Sequence, residues 1–452
     1  MAKLIRLKFP SFQLCGLSVT LIALFFMGGS SRSDAHSLLI LSPLMIICFA
    51  VASVTLKREQ MQENKWLLLG FLTVLLMIIA YLTPWVGQVR ELSGALEYAV
   101  ATRGQASDIL AIAPAAAQQS IFFLFAPFAV SIFAMQLNRN DIRISVLLVV
   151  ALGAISGIFG VLQLAGSADS PFYLYLITNN GSAVGFFANR NHAAVFLAII
   201  FPMLAFISAN SSKMIWESKT HLHVMVIAIG ILFIPLILVT GSRSGMLAAV
   251  IGLLGCALLY ISNANKHIEP RGNKSLSLVL AIVALFGLIF ATIYFSRAEA
   301  IDRIFAEPNN MKDRTDFWTS SLQLFWQYFP LGFGPGGFVP AFLKDEPFYL
   351  LSSAYLNRLH NDWLETALTF GVPGILLMFV GTIYYLRRSF ELWVRMNGER
   401  STVALGRMAS IVIAIFAVAS FSDYPLRTPA MAGFAALALV WFAYARYQPI
   451  QR

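Results

Sequence analysis

The stretch from Arg358 to Gly374 reads RLHNDWLETALTFGVPG, and its first half sets His360, Asn361, Asp362 and Glu365 at the start of an apolar run. An imidazole with an unperturbed pKa near ~6.5 accepts a proton near neutrality, as a general base must. Asn361, Asp362 and Glu365 are each near enough in sequence to fix its tautomer. A plainer reading competes. Asp362 with Glu365 three residues on fits a helix capping box, which accounts for two of these groups without chemistry but leaves His360 unexplained.

Arg243, in TGSRSG between two apolar runs, is the second residue of chemical interest. A centrally placed arginine would cost roughly 2.5–3.5 kcal/mol to insert in a bilayer, so such residues generally face a cavity or a partner. Its planar fork suits a phosphate, and the start of the helix that follows offers free N–H groups to an anion. The alternative is a turn residue that snorkels to the headgroups. Arg314 in DRTDFW, and Arg190 with Asn191 in GFFANRNHAA, are further candidates, although an arginine at an amphipathic helix start is commonly a solvated charge. His192, directly after Asn191, reads as structural. Asp423 and Arg427 in FSDYPLRTPA are candidates for shaping a site, and an exposed turn explains them equally well.

The elements that must position these groups follow from composition. The 452 residues are 58% hydrophobic and 12% charged, with mean hydropathy +0.74. A soluble domain is nearer ~45–50% apolar and ~25% charged, so the chain reads as an all-α polytopic membrane protein. Spanning runs are predicted near 13–29, 37–56, 66–83, 119–136, 142–165, 192–209, 222–239, 243–263, 276–296, 365–387, 404–421 and 428–446. With both termini inside, the inner segments hold 20 of the 32 Lys and Arg. That bias follows the positive-inside rule, and no nucleic acid is needed to explain the basic balance. Cys15, Cys48 and Cys256 lie inside apolar runs, with no disulfide framework and no metal-ligand spacing. The basic, then apolar, N-terminus is read as a first span and not a cleaved leader.

In this map every polar motif above falls on the outer side. The outer loop at about 297–364 is far longer than the rest, and long loops are commonly functional. Within it DRTDFWTSSLQLFWQYF has Phe317, Ser321, Phe325 and Tyr328 at helical spacing, lying on the membrane surface or on other helices, until Pro330 and LGFGPGG stop it.

The order GFFANRNH, TGSRSG, DRTDFW, PLGFGPGGF, HNDWLETALTFGVPG resembles the O-antigen ligase / O-antigen polymerase family of bacterial envelope glycosyltransferases. The resemblance covers about residues 180–387, with an echo in DYPLRTPA, and divides the chain into N-terminal spans (1–180), a ligase/polymerase-like core (181–390) and C-terminal spans (391–452). It implies an inner-membrane enzyme whose active site faces the periplasm. The implied donor is a glycan on undecaprenyl diphosphate, and the acceptor a glycan or lipid A core. Membrane lipids surround it, and no cofactor or metal is implied. The resemblance puts Arg243 and Arg314 on the donor diphosphate and His360 at the acceptor hydroxyl, as an inverting transferase requires. Arg190 departs from the family pattern, where small or proline residues are common. The sugar and the oligomeric state are not readable.

Within that family the acceptor divides three readings: a ligase, a polymerase of O-antigen or exopolysaccharide, and a protein O-oligosaccharyltransferase. A transporter is the rival from another class, but the two halves look unlike each other, against the internal repeats such proteins show.

Overall fold

A computed structural model describes residues 10–32, 37–85, 108–210, 219–264, 320–346, 357–396 and 400–444. These form an all-α bundle with no strand among them, only an isolated bridge between Pro84 and Ile109. The helices are α1 (Phe12–Met27), α2 (Ser42–Thr55), α3 (Arg58–Glu63), α4 (Lys65–Leu82), α5 (Pro114–Met135), α6 (Arg139–Ala165), α7 (Arg190–Asn210), α8 (Lys219–Val239), α9 (Arg243–Ala264), α10 (Phe338–Lys344), α11 (Asp362–Phe390), α12 (Arg400–Ala419) and α13 (Pro429–Tyr444). Eight helical stretches are long and apolar enough to span a bilayer, and three shorter apolar ones join them. Together they account for eleven of the twelve spans read from hydropathy. The run 276–296 and Arg314 lie outside the described residues.

The helices start where local chemistry dictates. Ser11 caps α1 by accepting from the N–H of Leu14, Asn138 caps α6 by accepting from Asn140 and Asp141, and Pro114 opens α5, where its missing N–H is no loss. Outward faces carry bare apolar side chains such as Leu76, Ile227, Leu254 and Phe379. A soluble protein would hide such a girdle, whereas a bilayer solvates it. In α7, by contrast, 83% of the span is buried, so this helix is the centre of the bundle.

Small residues set how the helices run. Gly245 of α9 lies against Ala194 of α7, and Gly252 against Ala198 and Phe201, so the two helices are parallel with their N-termini level. Gly255 of α9 meets Ile411 of α12, and Ser262 bonds Arg407, so α12 runs the opposite way. The N–H of Ala430 donates to Gly28, tying the end of α1 to the start of α13. One end of the bundle thus gathers the starts of α7, α9, α11 and α13 and the ends of α1 and α12. The described polar motifs, from α7, α9, α11 and the α12–α13 link, converge there.

At that end α11 is broken. Gly371 has φ +55°, and the break frees carbonyls that the chain before the site takes up. Phe333 N–H donates to Leu368, Gly334 N–H to Thr369, and Val372 N–H to Pro330. Irregular backbone is tolerated at membrane depth only when such partners exist. Gly332, Gly334 and Gly336 all have positive φ, which explains the glycine-rich LGFGPGG sequence. The preceding helical residues, 320–327, turn the expected face inward over the part that is described. Ser321, Leu324 and Tyr328 are buried, while Leu322, Trp326 and Phe329 are exposed and Phe325 lies between.

The Gly245–Ala194 contact gives the fold its first test. A Cβ on Gly245 would overlap that of Ala194, and neither can rotate away. Gly245→Val should cost ~1–3 kcal/mol, seen as a lower thermal unfolding midpoint in nanodiscs. Gly381→Ala, inside α11 where nothing lies near the added Cβ, should not lower it.

Candidate active site

Asp423 lies in the link between α12 and α13 and is 1% exposed. A buried carboxylate needs donors, and it has them from three segments. Asn191 Nδ2 donates at 2.6 Å and Asn189 Nδ2 at 3.3 Å, from the first turn of α7 and the residue before it. The N–H of Tyr424 donates at 2.9 Å, and His360 Nδ1 lies 3.2 Å from Oδ1. Burial pushes this carboxyl up, but the bond from His360 and the Asn191 amide outweigh it and hold the group well below the usual carboxylate range. Tyr424 moves the other way. Burial and the Asp423 charge raise its hydroxyl to about 12, so it stays protonated.

His360 is the one non-glycine residue with positive φ among the described residues, at +56°. Holding a side chain there costs ~1–3 kcal/mol and persists where the surroundings demand it. The demand is visible. Residue 361 must turn into α11, while the ring of residue 360 must reach back to Asp423. Its side chain is 29% exposed and lines a cleft of about 320 Å³, with Asn357, Tyr424, residues 29–32, residues 177–179 and the loop 188–192 forming the rest of the wall. The ring sits edge-on to Tyr424, centroids 4.8 Å apart, and His192 approaches the same tyrosine at 5.2 Å. Both ring nitrogens of His192 are buried without a hydrogen bond, and Nε2 is 3.9 Å from Asp423.

The capping-box expectation is corrected. Asn361 is the cap, its side chain accepting from the N–H of Leu364. Asp362 instead accepts from Arg427 Nε at 3.0 Å, from Ser420 Oγ and from the N–H of Leu426. Glu365 accepts from Arg358 at 3.1 Å and from the N–H of Leu359, with Arg427 at 3.8 Å. These carboxylates form an ionic layer beneath His360 and do not touch its ring. The partner that fixes the tautomer is Asp423, 63 residues away in sequence. Nor is the Asp423–Arg427 segment an exposed turn, for Asp423 is buried and Arg427 is locked between two acids.

Other candidates separate. Asn191 joins the hub, and Arg190, the first residue of α7, lines the cleft. Arg243 is exposed at the first turn of α9 and does not line the cleft, though the Gly245–Ala194 contact holds its helix start level with that of α7. Asn189, Arg358, Tyr424, Arg32 and Asn357 were not singled out from sequence. The alternation of Asn189 and Asn191 was a signal for a shared acceptor, and the rest follow only from tertiary contact. Among the described residues no group of three His, Cys, Asp or Glu side chains is arranged to hold a metal ion.

Two measurements follow. Arg427→Met leaves Asp362 buried without a cation, while Glu365 keeps Arg358, and should cost ~3–5 kcal/mol of stability. Arg387→Met removes an 81%-exposed arginine from Glu391 and should cost under ~1 kcal/mol. Thermal unfolding in nanodiscs compares them. For Asp423 the folded-state pKa is depressed below the unfolded value near ~3.9, so its stabilisation is fully present above that pH and is lost as pH falls through the folded value. Unfolding midpoints should therefore drop on acidification below about pH 4, and that component should vanish in Asp423→Asn.

Residues 224–379 match the O-antigen ligase family model, a stretch that holds Arg243, Arg314 and His360, while Asn191 and Asp423 fall outside it. No curated protein matched the chain. All-α, polytopic and bearing a histidine-centred cleft at one end of its bundle, the chain is similar over residues 224–379 to the O-antigen ligase family.

Proposed function

We propose that this protein is an integral membrane glycosyltransferase that moves a glycan from undecaprenyl diphosphate to an acceptor hydroxyl at the periplasmic face of the bacterial inner membrane. The observation that carries the reading is the His360–Asp423 pair at the cleft, in a chain with an O-antigen ligase domain. Nδ1–H donates to the buried carboxylate, which leaves the Nε2 lone pair for a substrate proton.

The reaction needs four events. His360 Nε2 takes the proton of the acceptor hydroxyl. That oxygen forms its bond to the anomeric carbon from the face opposite the diphosphate. The bond from carbon to phosphate oxygen breaks, inverting the centre. The lipid diphosphate leaves with the electron pair. Asp423 stabilises the imidazolium that forms, and Arg243 with Arg314 balances the charge that develops on the leaving group. Neither a metal nor a cofactor enters this scheme. Asn361 caps the helix behind the base, and Asp362, Glu365 and Arg427 hold that helix end against the α12–α13 link. Asn191 and Arg190 bring the start of α7 to the same cleft.

A ligase with a lipid A core acceptor is the leading form. A polymerase of O-antigen or exopolysaccharide, or a protein O-oligosaccharyltransferase, would use the same chemistry. A transporter is less well supported, because the ion pairs Arg358–Glu365 and Arg427–Asp362 sit at helix ends beside the cleft and not at the middle of the bundle.

The test uses the native host with the gene deleted, then restored as wild type, His360→Ala or Asp423→Asn. Glycans on undecaprenyl diphosphate and on lipid A are sized. Long chains stranded on the carrier with bare lipid A core identify a ligase, and single repeat units on either lipid identify a polymerase. His360→Ala should lower transfer by about 10²–10⁴-fold. Asp423→Asn should lower it strongly too, because an amide neither fixes the tautomer nor stabilises the imidazolium. Full restoration by His360→Ala would remove the general-base assignment. Arg243→Ala should depress transfer with little rescue by lysine, which lacks the bidentate fork.

A further inference from the structure

His192 stands in the first turn of α7, directly after Asn191, and is 1% exposed. Neither of its ring nitrogens has a hydrogen bond. A buried polar atom without a partner costs free energy that an apolar side chain of the same size would not. Packing gives no reason to accept that cost. The imidazole meets the ring of Tyr424 edge-on, centroids 5.2 Å apart, and a phenylalanine could do the same. The helix start gives no reason either. There the N–H of Asn191 donates to Asn189 Oδ1 and the N–H of Ala193 to the Asn189 carbonyl, without help from the imidazole.

What the ring faces is Asp423. Its Nε2 lies 3.9 Å from Oδ1, the same oxygen that stands 3.2 Å from His360 Nδ1. Two imidazoles thus converge on one carboxylate oxygen, and both stand edge-on to Tyr424. The carboxylate is pinned between them, with Oδ2 held by Asn191 and Asn189 and Oδ1 by the Tyr424 N–H. Asp423, from the α12–α13 link, and His360, from the segment before α11, are the charged or titratable groups whose fields reach His192. Arg358 acts on Tyr424, between the two rings. An imidazolium at position 192 would bury two unanswered donors, and a neutral ring buries one. With a carboxylate opposite Nε2, the neutral tautomer protonated at Nε2 turns its positive end to that oxygen, whereas the other tautomer would turn a lone pair to it.

The consequence falls on His360, given the transferase reading above. A general base must accept a proton in the reaction and be free of one before it. A buried carboxylate against Nδ1 favours the imidazolium, and too strong a hold would leave His360 protonated at rest. A second N–H directed at the same oxygen draws on the same negative charge and weakens that hold. We infer that His192 is a positioning residue, a neutral imidazole whose Nε2–H shares Oδ1 of Asp423 with His360 and so limits how tightly His360 keeps its proton. It acts through the carboxylate and touches no reacting atom.

The experiment is NMR of the full chain in nanodiscs with its six histidines labelled with 15N, the signals of His192 and His360 being assigned by their loss in His192→Phe and His360→Ala. In the wild type His192 should be neutral and protonated at Nε2. His192→Phe keeps the contact with Tyr424 and removes the N–H. It should move the His360 Nδ1–H proton downfield, as a stronger bond to Asp423 requires, without lowering the unfolding midpoint. Transfer should then fall about threefold at the acidic end of its pH profile, equivalent to a rise of about half a pH unit in the acidic limb, and hold at the alkaline end. His192→Gln, which keeps a donor, should recover most of both effects. A charged His192, a proton on Nδ1 in place of Nε2, or a His360 signal unmoved by His192→Phe overturns the inference. So does a loss of transfer equal at every pH, which is what a purely structural role gives, or a glutamine variant shifted as far as phenylalanine. Should His192→Phe not fold, the wild-type tautomer still decides. His360→Ala separates this inference from the reading beneath it. Full transfer there removes the general base, while the His192 tautomer and the His360 proton shift stand or fall by themselves. Lost transfer there, with the His360 signal indifferent to His192→Phe, sinks only the role of His192.

Discussion

The site depends on enclosing the charge of Asp423. Removing a carboxylate from water costs several kcal/mol unless donors surround it. Four groups do so: two asparagine amides from the start of α7, a histidine before α11 and the adjacent Tyr424 N–H. Those donors come from positions 189, 191, 360 and 424, and satisfying one carboxylate therefore fixes three helix ends against each other. The left-handed backbone of His360 is a consequence. A relaxed residue there would aim its side chain elsewhere and strip the carboxylate of a partner.

A second layer makes that geometry stiff. Asp362, Glu365, Arg358 and Arg427 join the first turn of α11 to the α12–α13 link, and Asp362 N–H donates to Ser420 in the same seam. Below it the break at Gly371 is closed by the 330–334 backbone. A buried ionic layer adds little net stability when its geometry is imperfect, but it penalises every arrangement that separates its members. It thus favours one placement of His360 over many. The glycine-rich stretch has the same effect, since positive φ at Gly332, Gly334 and Gly336 lets backbone approach backbone where side chains would not fit.

Spans and the clustering of motifs at one end were legible because both rest on local signals, apolar length and charge bias. His360 was legible for the same reason, a titratable group at an apolar helix mouth. The pairing was not. Asp362 and Glu365 have the spacing of a capping box, and only the fold shows that Asn361 caps while the two acids face arginines 65 and 7 positions away. Asp423 sits in a segment with turn residues on both sides, so a local reading makes it solvent-exposed, and burial by α7 reverses that. His192 reads as structural from the sequence; it is fully buried, yet neither ring nitrogen has a hydrogen bond, which is an unusual way to be structural.

The O-antigen ligase match ends before Asp423 and begins after Asn191. On the proposed mechanism this divides the labour within the chain. The base and the leaving-group arginines come from the matched stretch. The carboxylate that orients the base, the amides that hold the carboxylate and the arginines of the cleft come from outside it. Asn191 has both tasks at once, lining the cleft and donating at 2.6 Å to the carboxylate. A change there would alter the cleft wall and the orientation of the base together.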